Sequence, residues 1–423
     1  MTDTDTVVVG GGHAGLAVSR LLFTAGRDHV VLERGRIGER WRSERWDSLR
    51  LQTPNWMNRL PGWRYCGPDQ GGYLSAGAFW QFLSEYAESF DAPVLESANV
   101  ERVSMAAHTS GHRYVVVSDR GTWRTRHLVI ATGPHDVPHR PAGLHPRGIE
   151  LITAPQYRNP AQLPSGGVLI VGASSSGVQI ADELARAGRP VVLAVGRHTR
   201  MPRRYRGLDI FWWLSSTGRL ARTIDDVRDP VAARRESSPQ LVGRNEDLDL
   251  AVLQARGVRI TGRLVRIAGR HAWFRADLAD SVASADRRMH RLLDTVDEFA
   301  NAAGLGQKLG PPTRPGIVDV PPTPTRLDLR AEGIGTILLA TGYRPNHPWL
   351  RLPLAGPDGT IAQHRGVTAA PGVYVVGQRF QHRRDSGYID GARHNAQAVV
   401  AHLLGRAVPL LPTLRPADAA PTS

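Results

Sequence analysis

The chain opens on an apolar, β-branched run, Thr6-Val7-Val8-Val9, that breaks into Gly10-Gly11-Gly12-His13-Ala14-Gly15. A short apolar run bounded by glycine reads as a buried strand. Gly15 to Leu22 then carries helical spacing, and His29-Val30-Val31-Leu32 is a second β-rich run that ends in Glu33. The same order returns further on. Val168-Leu169-Ile170-Val171 runs into Gly172-Ala173-Ser174-Ser175-Ser176-Gly177, followed by a predicted helix through Ala187 and a strand over Pro190–Val195. The repeat predicts two copies of one strand–turn–helix–strand unit in a single chain.

Between and after these units the pattern changes. Residues 34–65 hold Trp41, Trp46, Trp56 and Trp63, with Pro54, Pro61 and Gly62 breaking any helix, and read as a loop. Helical apolar spacing covers residues 76–90, and alternation predicts short strands at 99–104, 113–118 and 122–126. A buried strand from His127 ends in Ala131-Thr132-Gly133, and the Pro- and Gly-rich stretch 134–166 reads as a linker. Residues 200–255 are irregular around the apolar island Phe211-Trp212-Trp213-Leu214. Val258 to Ile267 reads as a strand pair and 277–303 as a long helix. A Pro-rich run, 310–325, crosses back to a strand at Gly335–Leu339 that ends in Ala340-Thr341-Gly342-Tyr343. A further strand leads to Gly377-Gln378, and the last helix is expected at 390–405.

The expected fold is therefore α/β, with two doubly wound dinucleotide-binding domains. The first is discontinuous, 1–160 and 310–408; the second is 161–309. A Pro- and Ala-rich tail, 409–423, is expected to be loose.

Composition removes several function classes. With 423 residues, 41% hydrophobic and 22% charged, the chain is an ordinary globular protein of more than one domain. Its one cysteine, Cys66, excludes an intrachain dithiol pair or thiolate metal site, and no metal site is expected. The net charge is +14, yet Lys308 is the only lysine and the arginines are scattered along the whole length. Without a basic helix or zinc-finger spacing, nucleic acid is not an expected partner. No basic-then-apolar leader precedes the first strand, and the apolar stretch 396–414 is broken by His402, Arg406 and Pro409. The expectation is a cytoplasmic protein with no membrane partner. Nothing in the sequence speaks to its oligomeric state.

The repeated units supply the candidate chemistry. Gly10 suits the tight turn, Gly12 the close approach of a pyrophosphate, and Gly15 the packing of helix on strand. The helix N-terminus offers free N–H groups to phosphate oxygens. Glu33, 18 residues after Gly15, suits a free ribose 2′-OH, so the first unit is expected to take FAD. His13, Ala14, Arg34, Ala131, Thr132 and Gly133 complete that candidate site. In the second unit Ser174 replaces the middle glycine, with Ser175 and Ser176 behind it. Arg197 lies 20 residues after Gly177, with Arg203 beyond. A guanidinium there suits a 2′-phosphate, so this unit is expected to take NADPH.

The two Gly-rich motifs, Gly38-Glu39-Arg40-Trp41, the two Ala-Thr-Gly strand ends and Leu339-Ala340-Thr341-Gly342-Tyr343 together resemble the class B flavin-dependent monooxygenases. The resemblance spans about residues 5–405. It implies that NADPH reduces FAD, that O2 forms a C4a-(hydro)peroxyflavin, and that one oxygen atom passes to a small-molecule substrate, with nitrogen the expected acceptor. The loop Gln52-Thr53-Pro54-Asn55-Trp56 matches the family region that reaches the flavin ring, which makes Asn55 and Gln52 the candidate catalytic donors. Trp41, Thr53, Val100, Thr341, Gly342, Gly377, Gln378 and Tyr388 match cofactor-contacting positions. Thr153 stands where the Baeyer–Villiger fingerprint carries histidine, and Gln378 where many FAD enzymes have aspartate. The alternative function is an NADPH-dependent flavin or quinone oxidoreductase without oxygenation.

Overall fold

A computed structural model describes all residues except 108–110, 112, 307, 357 and 408–423, so the expected tail lies outside the described residues. The opening run forms β1 (Thr2–Val9), and α1 (His13–Thr24) leads to β2 (His29–Leu32). The helix forms because Leu16, Ala17, Val18 and Leu22 recur at helical spacing, and all four are buried. A third helix-forming stretch, α2 (Ala76–Glu88), is capped by the Ser75 hydroxyl, which accepts from the Ala78 N–H at 3.1 Å. β3 (Gly121–Ile130) is one continuous strand where the sequence suggested two.

β1 lies between β2 and β3, parallel to both, with Val8 opposite Val31 on one side and Val129 on the other. The first half of β3 also pairs antiparallel with Tyr114–Ser118, which pairs with Val100–Met105. Its second half pairs parallel with Val373–Val375, so the end of the chain returns to the first sheet. The last helix, Ile389–Leu403, then packs against α1 in a core that joins Leu16, Leu83 and Val399.

The second unit repeats this plan with β4 (Gly167–Val171), α3 (Ser175–Arg186) and β5 (Val191–Ala194). The long amphipathic α4 (Leu278–Ala302) covers a neighbouring core with Met289, Leu293 and Val296. β6 (Ile334–Leu339) pairs parallel with β4, and Glu150–Thr153 pairs parallel with the far edge of β6. These two pairings move segments across the expected boundary. The strand in 310–408 and the strand within 134–166 both belong to the second sheet. The reason is symmetry: β6 is to β4 what β3 is to β1, the strand whose Ala-Thr-Gly end closes over the glycine turn. The two sheets are linked where Val137–Pro138 pairs antiparallel with Tyr343–Arg344.

Candidate functional site

The two turns share one backbone design. Gly10 has φ +111° and a Cβ there would lie 2.7 Å from the Ala131 carbonyl oxygen. Gly172 has φ +110° and would meet the Ala340 carbonyl at 2.5 Å. A Cβ on Gly15 would sit 1.9 Å from the Gly10 carbonyl oxygen, and one on Gly177 1.8 Å from that of Gly172. These four glycines are required by backbone packing. Gly12 differs: nothing lies within 4 Å of its Cβ position, so that space is open to a ligand. Neither α1 nor α3 has a side-chain cap or an acidic residue in its first turn. Their free N–H groups and positive dipole ends are therefore available to phosphate oxygens.

Both turns open into one cavity of about 1380 Å³. Gly10, Gly12, His13, Ala14, Glu33, Arg34, Trp41, Gln52, Thr53, Val100, Ala131, Thr132 and Gly133 line it from the first unit and its loop. Gly172, Ser174, Ser175, Ser176, Arg197, Thr341, Gly342, Gly377 and Tyr388 line it as well. Glu33 is fixed at the end of β2, its two carboxylate oxygens accepting from the Gly11 N–H at 2.6 Å and the Gly35 N–H at 2.9 Å. Arg197 is exposed and donates to the Arg235 carbonyl at 3.4 Å. The chemistry of these donor sets fits two dinucleotides, one with a free ribose hydroxyl near Glu33 and one with a charged group near Arg197.

Four expected residues stand apart from the cavity lining. Gly15 acts through packing alone. Asn55 is buried, and both ends of its amide are bonded within its own loop. Nδ2 donates to the Asp69 carbonyl at 2.8 Å, and Oδ1 accepts from the Leu74 N–H at 2.9 Å. Its side chain holds this loop and stands outside the cavity lining. Arg203 is 1% exposed, forms a two-pronged pair with Asp209 at 2.7 Å and donates to the Gln52 carbonyl at 2.8 Å, so no phosphate reaches it. The side chain of Gln378 is also outside the lining; its N–H donates to Gln381 Oε1 at 3.3 Å. Gln52 does reach the cavity, but its amide donates to the Ser175 hydroxyl and to the Leu241 carbonyl, tying the loop to the second turn.

Other cavity residues were not singled out by sequence reasoning. His135 lies edge-on to Tyr343 at 5.1 Å, and burial, with Arg45 and Arg379 nearby, pushes its pKa down to about 3. Burial likewise lowers His13 to about 4. Both imidazoles are therefore neutral at pH 7. Arg379, Arg384 and Glu236 also line the cavity. For the two arginines the signal that could have found them is their nearness to Gly377, since arginine is everywhere in this chain; Glu236 carried no such signal. Cys66 is exposed and outside the cavity, its Sγ 3.5 Å from the Arg64 carbonyl. Asp385, Asp390 and His394 bring three ligand-type atoms together, but Arg59, Arg383 and Arg393 already engage the two carboxylates.

Residues 7–217 match the model of a family described as pyridine nucleotide-disulphide oxidoreductase. An uncharacterized CzcO-like oxidoreductase of Geobacillus kaustophilus is 28% identical over 411 residues, covering 95% of this chain and 98% of that protein. An indole-3-pyruvate monooxygenase of Oryza sativa (YUCCA1) is 28% identical over 394 residues, covering 88% and 86%. Among solved structures, a flavin-containing monooxygenase from Stenotrophomonas maltophilia superposes with a TM-score of 0.62 at 22% identity, covering 95% of this chain and 99% of that one. This last likeness concerns the fold. Among the described residues, no helix is long and apolar enough to cross a membrane.

Proposed function

We propose that this chain, whose residues 7–217 match the pyridine nucleotide-disulphide oxidoreductase family, is a flavin-dependent monooxygenase selective for NADPH. The family match makes it an oxidoreductase, with a flavin and a pyridine nucleotide as its cofactors. Bound FAD would accept a hydride from the nicotinamide and supply the oxygen-activating chemistry. One observation carries the reading: two phosphate-cradling turns face one cavity with opposite charges at their ribose ends, Glu33 and Arg197. A carboxylate repels a 2′-phosphate and a guanidinium receives it.

The chain's own residues position and enclose these groups. Gly12 and the α1 N-terminus leave room for the FAD pyrophosphate, and Ser174 and the α3 N-terminus for that of NADPH. Gln52, bonded to Ser175, couples the loop of the first unit to the turn of the second. His13 and His135 stay neutral, so the cavity offers no protonated imidazole at neutral pH. The dithiol route open to disulphide reductases has no counterpart here, because the one thiol is outside the cavity. Small-molecule oxygenation at nitrogen is the proposed reaction, supported by Thr153 in place of the Baeyer–Villiger histidine. Thr153 is 2% exposed and its hydroxyl is bonded to Gln156 Oε1 at 2.8 Å. The test is NADPH oxidation under 18O2 with candidate amines, sulfides and ketones, and product analysis by mass spectrometry. One labelled oxygen atom in an amine-derived product supports the reading. NADPH consumption that yields only hydrogen peroxide across the panel overturns it in favour of a simple oxidase or reductase.

A further inference from the structure

Residues 345–351 belong to no motif, yet they reach the cavity. They follow Tyr343–Arg344, which pairs with Val137–Pro138, and cross to the first unit. There they are pinned to the strand Val100–Met105 at one residue. The Val103 N–H donates to the Trp349 carbonyl at 2.8 Å, and the Arg351 N–H donates to the Val103 carbonyl at 2.9 Å. Leu350, between them, is buried in one core with Val100, Val103 and Leu352. Trp349 is half-buried: it packs against this core and also lines the cavity. His347 braces it, with ring centroids 5.7 Å apart, and its Nε2 lies 3.4 Å from the Thr132 hydroxyl.

This part of the cavity is the end beyond Glu33. The Ala98 N–H donates to the Glu33 carbonyl and the Ser97 N–H to that of Gly35, both at 2.8 Å. Ser97, Ala98 and Val100 therefore carry the cavity wall outward from Glu33 to the strand that holds Trp349. A dinucleotide has a fixed order of pyrophosphate, ribose and base. With the pyrophosphate in the open space by Gly12 and the ribose hydroxyls at Glu33, the base falls at this end. Ala98 and Val100 are buried there, so the wall is apolar. A half-buried indole on such a wall has an apolar face still to cover, and a flat heterocycle covers it best.

We propose that Trp349 is the adenine-binding residue of the flavin site: its indole stacks on the adenine of FAD and makes the first unit prefer FAD to FMN. The assignment deepens the reading of the first unit as an FAD site and rests on it. Stacking a base on an aromatic ring strengthens binding by about tenfold or more. FMN ends at its phosphate and gains none of this.

The experiment uses the holoenzyme. Wild type and Trp349→Leu are equilibrated with mixtures of FAD and FMN, and the bound flavin is identified by chromatography after denaturation. Leucine keeps an apolar side chain against the core, so the variant separates packing from stacking. Trp349→Leu is expected to lower the preference for FAD over FMN by about tenfold, and Trp349→Phe, which keeps a ring, to stay within about threefold of wild type. NADP+ affinity, read by the change in flavin absorbance, should be unchanged in both variants. If Trp349→Leu does not fold, hydroxyl-radical footprinting of the wild type gives a second measurement. Oxidation at Trp349 should rise when FMN replaces FAD, since no adenine then covers the ring. An FAD preference unchanged in Trp349→Leu, or Trp349 oxidation indifferent to the exchange, would overturn the proposal, and a parallel fall in NADP+ affinity would replace stacking by general packing. Failure here and failure of the monooxygenase reading are separable. FAD held without regard to Trp349 sinks only this assignment. An enzyme whose FAD preference depends on Trp349 but which transfers no oxygen sinks only the other.

Discussion

The two glycine turns are the same backbone built from different side chains, and the difference separates what holds a turn from what reads a ligand. At the first and third positions both turns carry glycine, because a Cβ would run into a carbonyl oxygen at 1.8–2.7 Å. At the second position one has Gly12 and the other Ser174. The open space around Gly12 explains why that exchange is tolerated: the constraint there comes from the ligand, not from the protein. At the residue that opens each helix His13 corresponds to Ser175, and beyond the second strand Glu33 corresponds to Arg197. Each pair changes charge or proton affinity while leaving the skeleton alone.

The comparison is broken most violently at the third glycine. Gly15→Ala or Gly177→Ala forces a methyl into a backbone carbonyl and should cost more than about 3 kcal/mol, read as a large fall in the urea midpoint. Unfolding midpoints within error of wild type would show that these turns can relax. Gly12→Val should behave otherwise. The apoprotein should unfold as wild type does, while the purified protein loses its flavin, measured by absorbance after denaturation. A normally yellow variant would place the pyrophosphate elsewhere.

Acid sensitivity separates the turns at the residue that opens each helix. The unfolded chain protonates His13 near its ordinary pKa of 6.5, whereas the folded protein resists until about 4. The unfolded state therefore binds more protons in that window, and stability falls as pH drops through it. His13→Ser, which copies the second turn, should flatten the apoprotein's denaturation profile between those pH values. An unchanged profile would assign the acid sensitivity to other histidines with lowered pKa, such as His135.

The ribose ends should differ in coenzyme choice. Arg197→Ala is expected to weaken NADPH about 10- to 100-fold and leave NADH nearly unchanged, measured by steady-state KM for each coenzyme. Equal losses would mean that Arg197 does not read the 2′-phosphate. The smallest change is Ser174→Gly, which makes the second turn like the first. It should shift stability by only a few tenths of a kcal/mol, since glycine is a tolerated N-cap and Ser174 makes no capping bond. A large loss of NADPH affinity in this variant would show that the Ser174 hydroxyl contacts the coenzyme.

Much of this site was legible in the residues because its parts are local. Turn, helix start and strand end lie within a few residues of one another, and their spacing alone names the glycines and Glu33. The β6 strand was misplaced for the converse reason. Its Ala340-Thr341-Gly342 end matches Ala131-Thr132-Gly133, and only the pairing of Leu338 with Ile170 shows which sheet it completes. Asn55 and Arg203 illustrate the same limit at the level of side chains. Both are polar groups near the right loop, but Asp69 claims one and Asp209 the other.

The sequence by itself determined that the strand–turn–helix–strand unit occurs twice and where each copy turns, because backbone sterics and helix geometry act over a handful of residues. Tertiary structure alone decided that both turns open into one cavity, which polar side chains are already spent, and which acid each buried arginine finds. Hydrogen-bond saturation and charge balance are settled by partners far away in the chain. Glu236 and Arg384, brought together from 148 residues apart, form a pair that no local pattern could have counted.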